Sequence, residues 1–193
     1  MAIQRTQQPH EIYELEITLL EIKPRISRRF AVRNNHSLMV LHDIIQMVMG
    51  WHDCHLHEFN IGDWTYATRD PDIDDLDDRE IKDESQTYLR DVLGREGFRF
   101  RYRYDMGDNW QHSLEVIKVH PPEKNHKYPI CLAGERACPP EDVGGIWGYA
   151  NMLEAIADPK HEEHEQYVEW IGDTFDDEAF DLKKVNRMLR GIH

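Results

Sequence analysis

No apolar run in this 193-residue chain approaches the roughly 20 residues that a membrane-spanning helix needs. The opening stretch, MAIQRTQQPHEIYE, lacks the apolar segment of a signal peptide. Cysteine is scarce. Cys54, Cys131 and Cys138 are an odd set, which suits a reducing compartment better than a disulfide framework. Cys131 and Cys138 stand seven residues apart and miss the C-x₂₋₄-C spacing of a zinc knuckle, so packed thiols are the simpler reading. Positive charge is also in short supply, with 23 Lys and Arg against 37 Asp and Glu. The resulting net charge of −14 repels a phosphate backbone at long range. Gly144-Gly145 carries no lysine in a GxxxxGK[ST] frame and is no phosphate loop. These absences describe a cytoplasmic protein without a membrane span, and they disfavour general nucleic-acid binding.

What is present is enough to fold. Hydrophobic residues make up 40% of the chain and aromatics 10%, sufficient for a core at this length. Residues 1–10 are polar and read as a frayed tail, and residues 11–193 as a single domain. Residues 12–21 alternate, with Tyr13, Leu15, Ile17 and Leu19 on one face, the mark of a half-buried strand. A second strand is expected over 28–32. Asn34 to Ser37 signals a turn and helix cap, Leu38, Leu41, Ile44, Ile45, Val48 and Met49 recur at helical spacing, and Gly50 closes the helix. Residues 55–66 read as two strands around Gly62-Asp63. Residues 68–85 read as an acidic surface loop whose start, Asp70 to Asp74, imitates a calcium loop. It fails at Asp75, where glycine is needed, and at Ile81, where glutamate is needed. Residues 98–105 and 110–120 form the clearest hairpin, and 88–93 a short helical turn. Residues 129–148 read as irregular, and helices are expected over 149–157, 161–171 and 178–189. Strands first and helices last predict an α+β fold: a largely antiparallel, roll-like sheet, one helix after the first strands, and a C-terminal set of packed helices.

Three constellations carry chemistry. In Trp51-His52-Asp53-Cys54-His55-Leu56-His57, a strand beginning at His55 would put His55 and His57 on one face, a chelating geometry for a divalent metal. Two ligands alone hold no ion, and histidines hydrogen-bonded at a strand end are the plainer reading. In the turn from Asp105 to His112, Asp105 and Asp108 are ordinary capping residues. With His112 they would also complete a metal set: His55, His57, Asp105, Asp108 and His112. In residues 131–149, the glycines allow close backbone approach, and Glu141 and Asp142 are exposed acids near that turn. Arg99, Arg101 and Arg103 form one basic stripe among aromatics. The stripe suits single-stranded nucleic acid, or cross-strand pairing with acids such as Glu14, Glu16 or Glu115. The helical HEEHE of residues 161–165 misses the HExxH spacing and reads as a solvated face. No nucleophilic Ser/His/Asp or Cys/His set can be assembled.

Taken together, IYELEITLLEIKPRISRRF, LHDIIQMVMGWHDCHLHEF, YRYDMGDNWQH, YPICLAGERACPPEDVGGIWGY and the tail FDLKKVNRMLR resemble the plasmid pRiA ORF-three-like family, which includes passenger proteins of insertion elements. Ser27 departs from it, standing where the family commonly has tryptophan. The resemblance implies an α+β domain and a mobile-element association, and it supplies no activity.

The expectation is therefore a non-catalytic binding or accessory module. A small ligand or protein partner would dock where Trp51, Trp110 and Trp147 wall a pocket beside Glu141 and Asp142. The alternatives are a metal-dependent hydrolase or nuclease built on the His/Asp set, with Glu141 or Asp142 activating water, and nucleic-acid binding through the arginine stripe. A divalent metal is the one cofactor these residues permit.

Overall fold

The computed structural model describes residues 10–68, 80–172 and 175–192. The elements follow in the order β1 (Ile12–Leu19), β2 (Ser27–Arg33), α1 (Leu38–Met49), β3 (His57–Ile61), β4 (Trp64–Ala67), β5 (Ile81–Asp83) and a 3-10 turn (Glu84–Gln86). Next come α2 (Leu89–Val92), β6 (Arg99–Tyr104), β7 (Trp110–His120), β8 (Ile130–Glu135), α3 (Gly145–Ala157) and α4 (His164–Ile171). Last is α5 (Leu182–Met188), which tightens into a second 3-10 turn. The strands form one sheet in the order β5-β4-β3-β6-β7-β1-β2-β8. Neighbours are antiparallel except β4 and β5. This is an α+β fold.

Alternation decides the sheet's faces. Tyr13, Leu15, Ile17 and Leu19 of β1 are buried with Phe100, Tyr102 and Tyr104 of β6 and Trp110, His112, Leu114 and Val116 of β7. The apolar stripe of α1 joins them in one core. Ser37 caps α1, its Oγ accepting from the Val40 N–H at 3.3 Å. At the other end Gly50 takes a left-handed φ of 96°, and its N–H donates to the Gln46 carbonyl at 2.8 Å. The opposite sheet face is ionic, with Arg29 bonded to Glu14 at 2.6 Å, Arg25 to Glu16 at 3.0 Å and Arg99 to Glu115 at 2.8 Å.

The structure corrects several boundaries. Residues 130–135, expected to be irregular, form the edge strand β8 on β2, and α3 begins at Gly145 rather than 149. Residues 81–83 add a short parallel edge strand. Helix α4 begins at His164, so HEEHE straddles a helix start; His164 Nδ1 lies 2.8 Å from the Ala155 carbonyl. The calcium-like stretch from Asp70 to Asp75 lies outside the described residues.

Candidate metal centre

Three irregular segments meet at one end of the central strands: residues 51–56 after α1, the β6–β7 turn, and residues 139–144 before α3. Trp51 ties the first to the third. Its indole N–H donates to the Pro139 carbonyl at 3.0 Å, and its ring stacks on Tyr104 with centroids 4.9 Å apart. The β6–β7 turn is set by Asp105, which sits in the left-handed region at φ 58°. Its Oδ1 accepts from the Gly107 N–H at 2.8 Å and the Asp108 N–H at 3.2 Å, an Asx turn. That leaves Oδ2 aimed elsewhere.

It aims at His55. The Nε2 of His55 lies 3.6 Å from Asp105 Oδ2, 3.8 Å from Glu141 Oε2 and 3.0 Å from Asp142 Oδ1. Yet this nitrogen is buried and makes no hydrogen bond: the Asp105 and Glu141 oxygens lie beyond hydrogen-bond distance, and the nearer Asp142 oxygen accepts none from it. Ligands held about 2.1 Å from one ion stand about 3.0–3.4 Å from each other; the His55–Asp142 pair sits in that range, and the Asp105 and Glu141 oxygens lie a few tenths of an ångström beyond it. His55, Asp105 and Asp142 offer donor atoms that all lie within 4.8 Å of one another. Among the described residues no Lys or Arg lies within ion-pair distance of these carboxylates, so their mutual repulsion is unrelieved by protein cations.

Glu141 is oriented from two sides. Its Oε1 accepts from the His52 N–H at 2.7 Å, and the Tyr104 hydroxyl reaches both its oxygens, at 3.1 and 3.2 Å. Burial holds the Tyr104 phenol well above its ordinary range, so it stays a donor. The Cys54 N–H donates to the same phenol oxygen at 3.0 Å. Asp108 Oδ2 accepts from the Gly144 N–H at 3.1 Å and so braces the third segment against the turn.

The structure separates His57 from His55. Strand β3 starts at His57, so strand parity does not reach His55. The His57 ring lies instead on His42, centroids 3.4 Å apart, and its Nε2 is 2.8 Å from Glu84 Oε2. His42 Nε2 donates to Asp53 Oδ1 at 2.9 Å, and its Nδ1 then accepts from the Tyr102 hydroxyl at 2.8 Å. The Tyr102 oxygen accepts from Gln46 Nε2 at 3.0 Å. His42, Asp53 and His57 also satisfy a metal-ligand spacing. Here, though, the ring nitrogens facing carboxylates are already hydrogen-bonded, so the cluster is complete as a hydrogen-bonded network that runs from the core to the exposed Asp53.

The remaining expected residues fall elsewhere. His112 is fully buried beneath Tyr102, where desolvation lowers its pKa to about 3, and it faces neither cluster's carboxylates. Trp51 and Trp110 are core residues stacked on each other, whereas Trp147 is 85% exposed, so the three tryptophans wall no common pocket. Arg99 is paired with Glu115, Arg101 lies opposite Asn60 and Ser113, and Arg103 lies opposite Glu58 and Gln111. His42, Asp53, Glu84 and Tyr104 were not anticipated. The one available signal was His42 and Gln46 interrupting the apolar stripe of α1.

Comparison with known proteins gives a consistent relationship. Residues 11–184 match the family described as plasmid pRiA4b ORF-3-like protein. An uncharacterized protein, y4hQ of Sinorhizobium fredii (strain NBRC 101917 / NGR234), is 35% identical over 181 residues, covering 92% of this chain and 90% of its own. The crystal structure of a protein of unknown function, MM3350 from Methanosarcina mazei Go1, superposes with a TM-score of 0.82 at 38% identity. That match covers 91% of this chain and 98% of the other.

Proposed function

The chain belongs to the plasmid pRiA4b ORF-3-like family, and for this member we propose a metal-dependent binding module. His55, Asp105 and Asp142 hold a divalent cation, Glu141 stands beside it, and the open coordination positions take a donor group from a ligand. The observation that carries this is the buried, unbonded His55 Nε2 ringed by three carboxylate oxygens at 3.0, 3.6 and 3.8 Å. A neutral imidazole with several carboxylates suits Mn²⁺, Fe²⁺ or Zn²⁺ better than the all-oxygen sphere of Ca²⁺. A bound dication also relieves the carboxylate repulsion, which ties metal affinity to stability.

The test is calorimetric titration of chelator-treated protein with Mn²⁺, Zn²⁺, Mg²⁺ and Ca²⁺, alongside melting temperature. One saturable site that is lost in His55→Ala supports the centre. Equal binding by wild type and His55→Ala, or none by either, removes it.

A second reading rests on the orientation of Glu141. Tyr104 and the His52 N–H fix a carboxylate at the farthest of the three distances from His55, a placement suited to a general base acting on metal-bound water. Metal-dependent hydrolysis of a nitrophenyl phosphate diester or ester, lost in Glu141→Gln while metal binding persists, would establish a hydrolase. Metal binding without turnover leaves the binding module.

A further inference from the structure

A cleft of about 760 Å³, the size of a small-molecule site, lies between the end of α1, residues 137–141 and the α4–α5 region. Met47, Trp170, Phe175, Phe180 and Met188 supply its apolar walls. Its floor is Arg28, only 2% exposed. The Nε of Arg28 donates to the Val48 carbonyl at 2.7 Å, and Nη1 donates to the Ser27 and Glu135 carbonyls, both at 2.8 Å. The ring of Phe180 lies over the guanidinium, 4.3 Å from Cζ to centroid.

These bonds occupy Nε and Nη1 and leave the two N–H groups of Nη2. Among the described residues Nη2 has no hydrogen-bond acceptor, and no carboxylate lies within ion-pair distance of Arg28. The titratable groups acting on it are Cys138 and Cys131, whose burial pushes the thiols up to about 12 and about 11. Both are neutral at pH 7 and cancel none of the charge. Carbonyls at the end of α1 offset part of it. A buried cation without a counter-ion is otherwise costly, and an incoming anion would recover that cost. The other charged groups around the cleft are Lys184, which adds positive charge, and Asp181 and Glu141, each already accepting backbone N–H groups.

We propose that this cleft binds a small organic acid with an apolar body. Its carboxylate accepts from Arg28 Nη2 while the body packs between Phe175, Phe180 and Met188. The cleft shares Glu141 with the metal centre, but the proposal requires no metal.

The experiment titrates the full chain, with chelator present, using hexanoate, benzoate, hydrocinnamate and the neutral amide of hydrocinnamate. At least one acid should bind in the millimolar range or tighter, with the matching amide about tenfold weaker or worse. Arg28→Gln should weaken the acid by a similar factor. Arg28 also stitches β2, β8 and α1, so Met188→Trp provides a variant that fills the cleft and leaves the guanidinium in place; it too should abolish binding. Acid and amide binding equally, no acid binding at all, or unchanged binding in Met188→Trp would overturn the site. A peptide C-terminal carboxylate binding more tightly than every free acid would overturn the small-molecule assignment.

Discussion

His42 and His57 lie ring on ring, 3.4 Å between centroids and 7° from parallel, each with a carboxylate on its Nε2. Two imidazolium ions stacked this closely would repel. Burial, then the His57 charge, lowers the His42 pKa to about 4. Burial also lowers His36 to about 4 and His112 to about 3. The unfolded chain protonates these rings near pH 6.5, so below that pH it binds more protons than the folded chain. The folded state is at full strength above about pH 6.5 and loses stability as pH falls toward 4, by up to about 1.4 kcal/mol per pH unit for each histidine. Urea unfolding midpoints should fall steeply between pH 6.5 and 4.5. A flat midpoint across that range contradicts the burial of these rings as neutral groups.

Glu84 is fully buried, bonded to His57 Nε2 at 2.8 Å and to the Thr68 hydroxyl at 2.7 Å. Glu84→Ala strands both donors. The expected loss is about 3 kcal/mol, the usual cost of removing one partner from a buried pair. Glu84→Gln, which keeps an acceptor, should cost less. Chemical denaturation of the two variants checks the order, and equal losses would mean that cavity formation dominates the hydrogen bonds.

Sequence periodicity revealed the core because it is a property of single elements. Alternation in β6 and β7 placed Tyr102, Tyr104 and Trp110 inward, and helical spacing marked the face of α1 that is buried. Strand β8 escaped because an edge strand pairs on one side only and its inward positions are small. Gly134 is one of them, and it leaves room for Phe180 of a later segment, a purely tertiary fact. The site divided in the same way. Asp105 was legible as a turn residue beside His55, and Glu141 and Asp142 as acids in a turn. Pairing His55 with His57 extended strand parity two residues beyond the start of β3, and Asp53 and Glu84 reach their histidines only through the fold.

Asp105 separates a structural role from a ligand role within one side chain. Oδ1 holds the β6–β7 turn, and Oδ2 faces His55. Asp105→Asn retains an acceptor for the turn and tolerates the left-handed backbone, so stability should change by less than about 1 kcal/mol. It removes the charge, so metal affinity should drop at least about tenfold. Asp105→Ala should lose both, with about 1–2 kcal/mol of stability gone as well. Affinity unchanged in the asparagine variant would assign Asp105 to the turn alone.

The third segment reaches the site only because its glycines permit contact. Gly145 has φ 67°, and a Cβ there would stand 2.7 Å from the Asp108 carbonyl oxygen. At Gly148 a Cβ would stand 1.9 Å from the Val143 oxygen. Neither obstacle is a flexible side chain, so backbone must move, at roughly 1–3 kcal/mol for each substitution. Gly145→Ala pushes the start of α3 away from the β6–β7 turn, carrying Asp142 with it. Melting temperature and metal affinity should therefore fall together, although no ligand has been changed. Gly191 has open space at its Cβ position and no positive φ, so Gly191→Ala should leave both near wild type. A Gly145→Ala protein that melts lower yet binds metal normally would show that Asp142 holds its place without the Asp108–Gly145 contact.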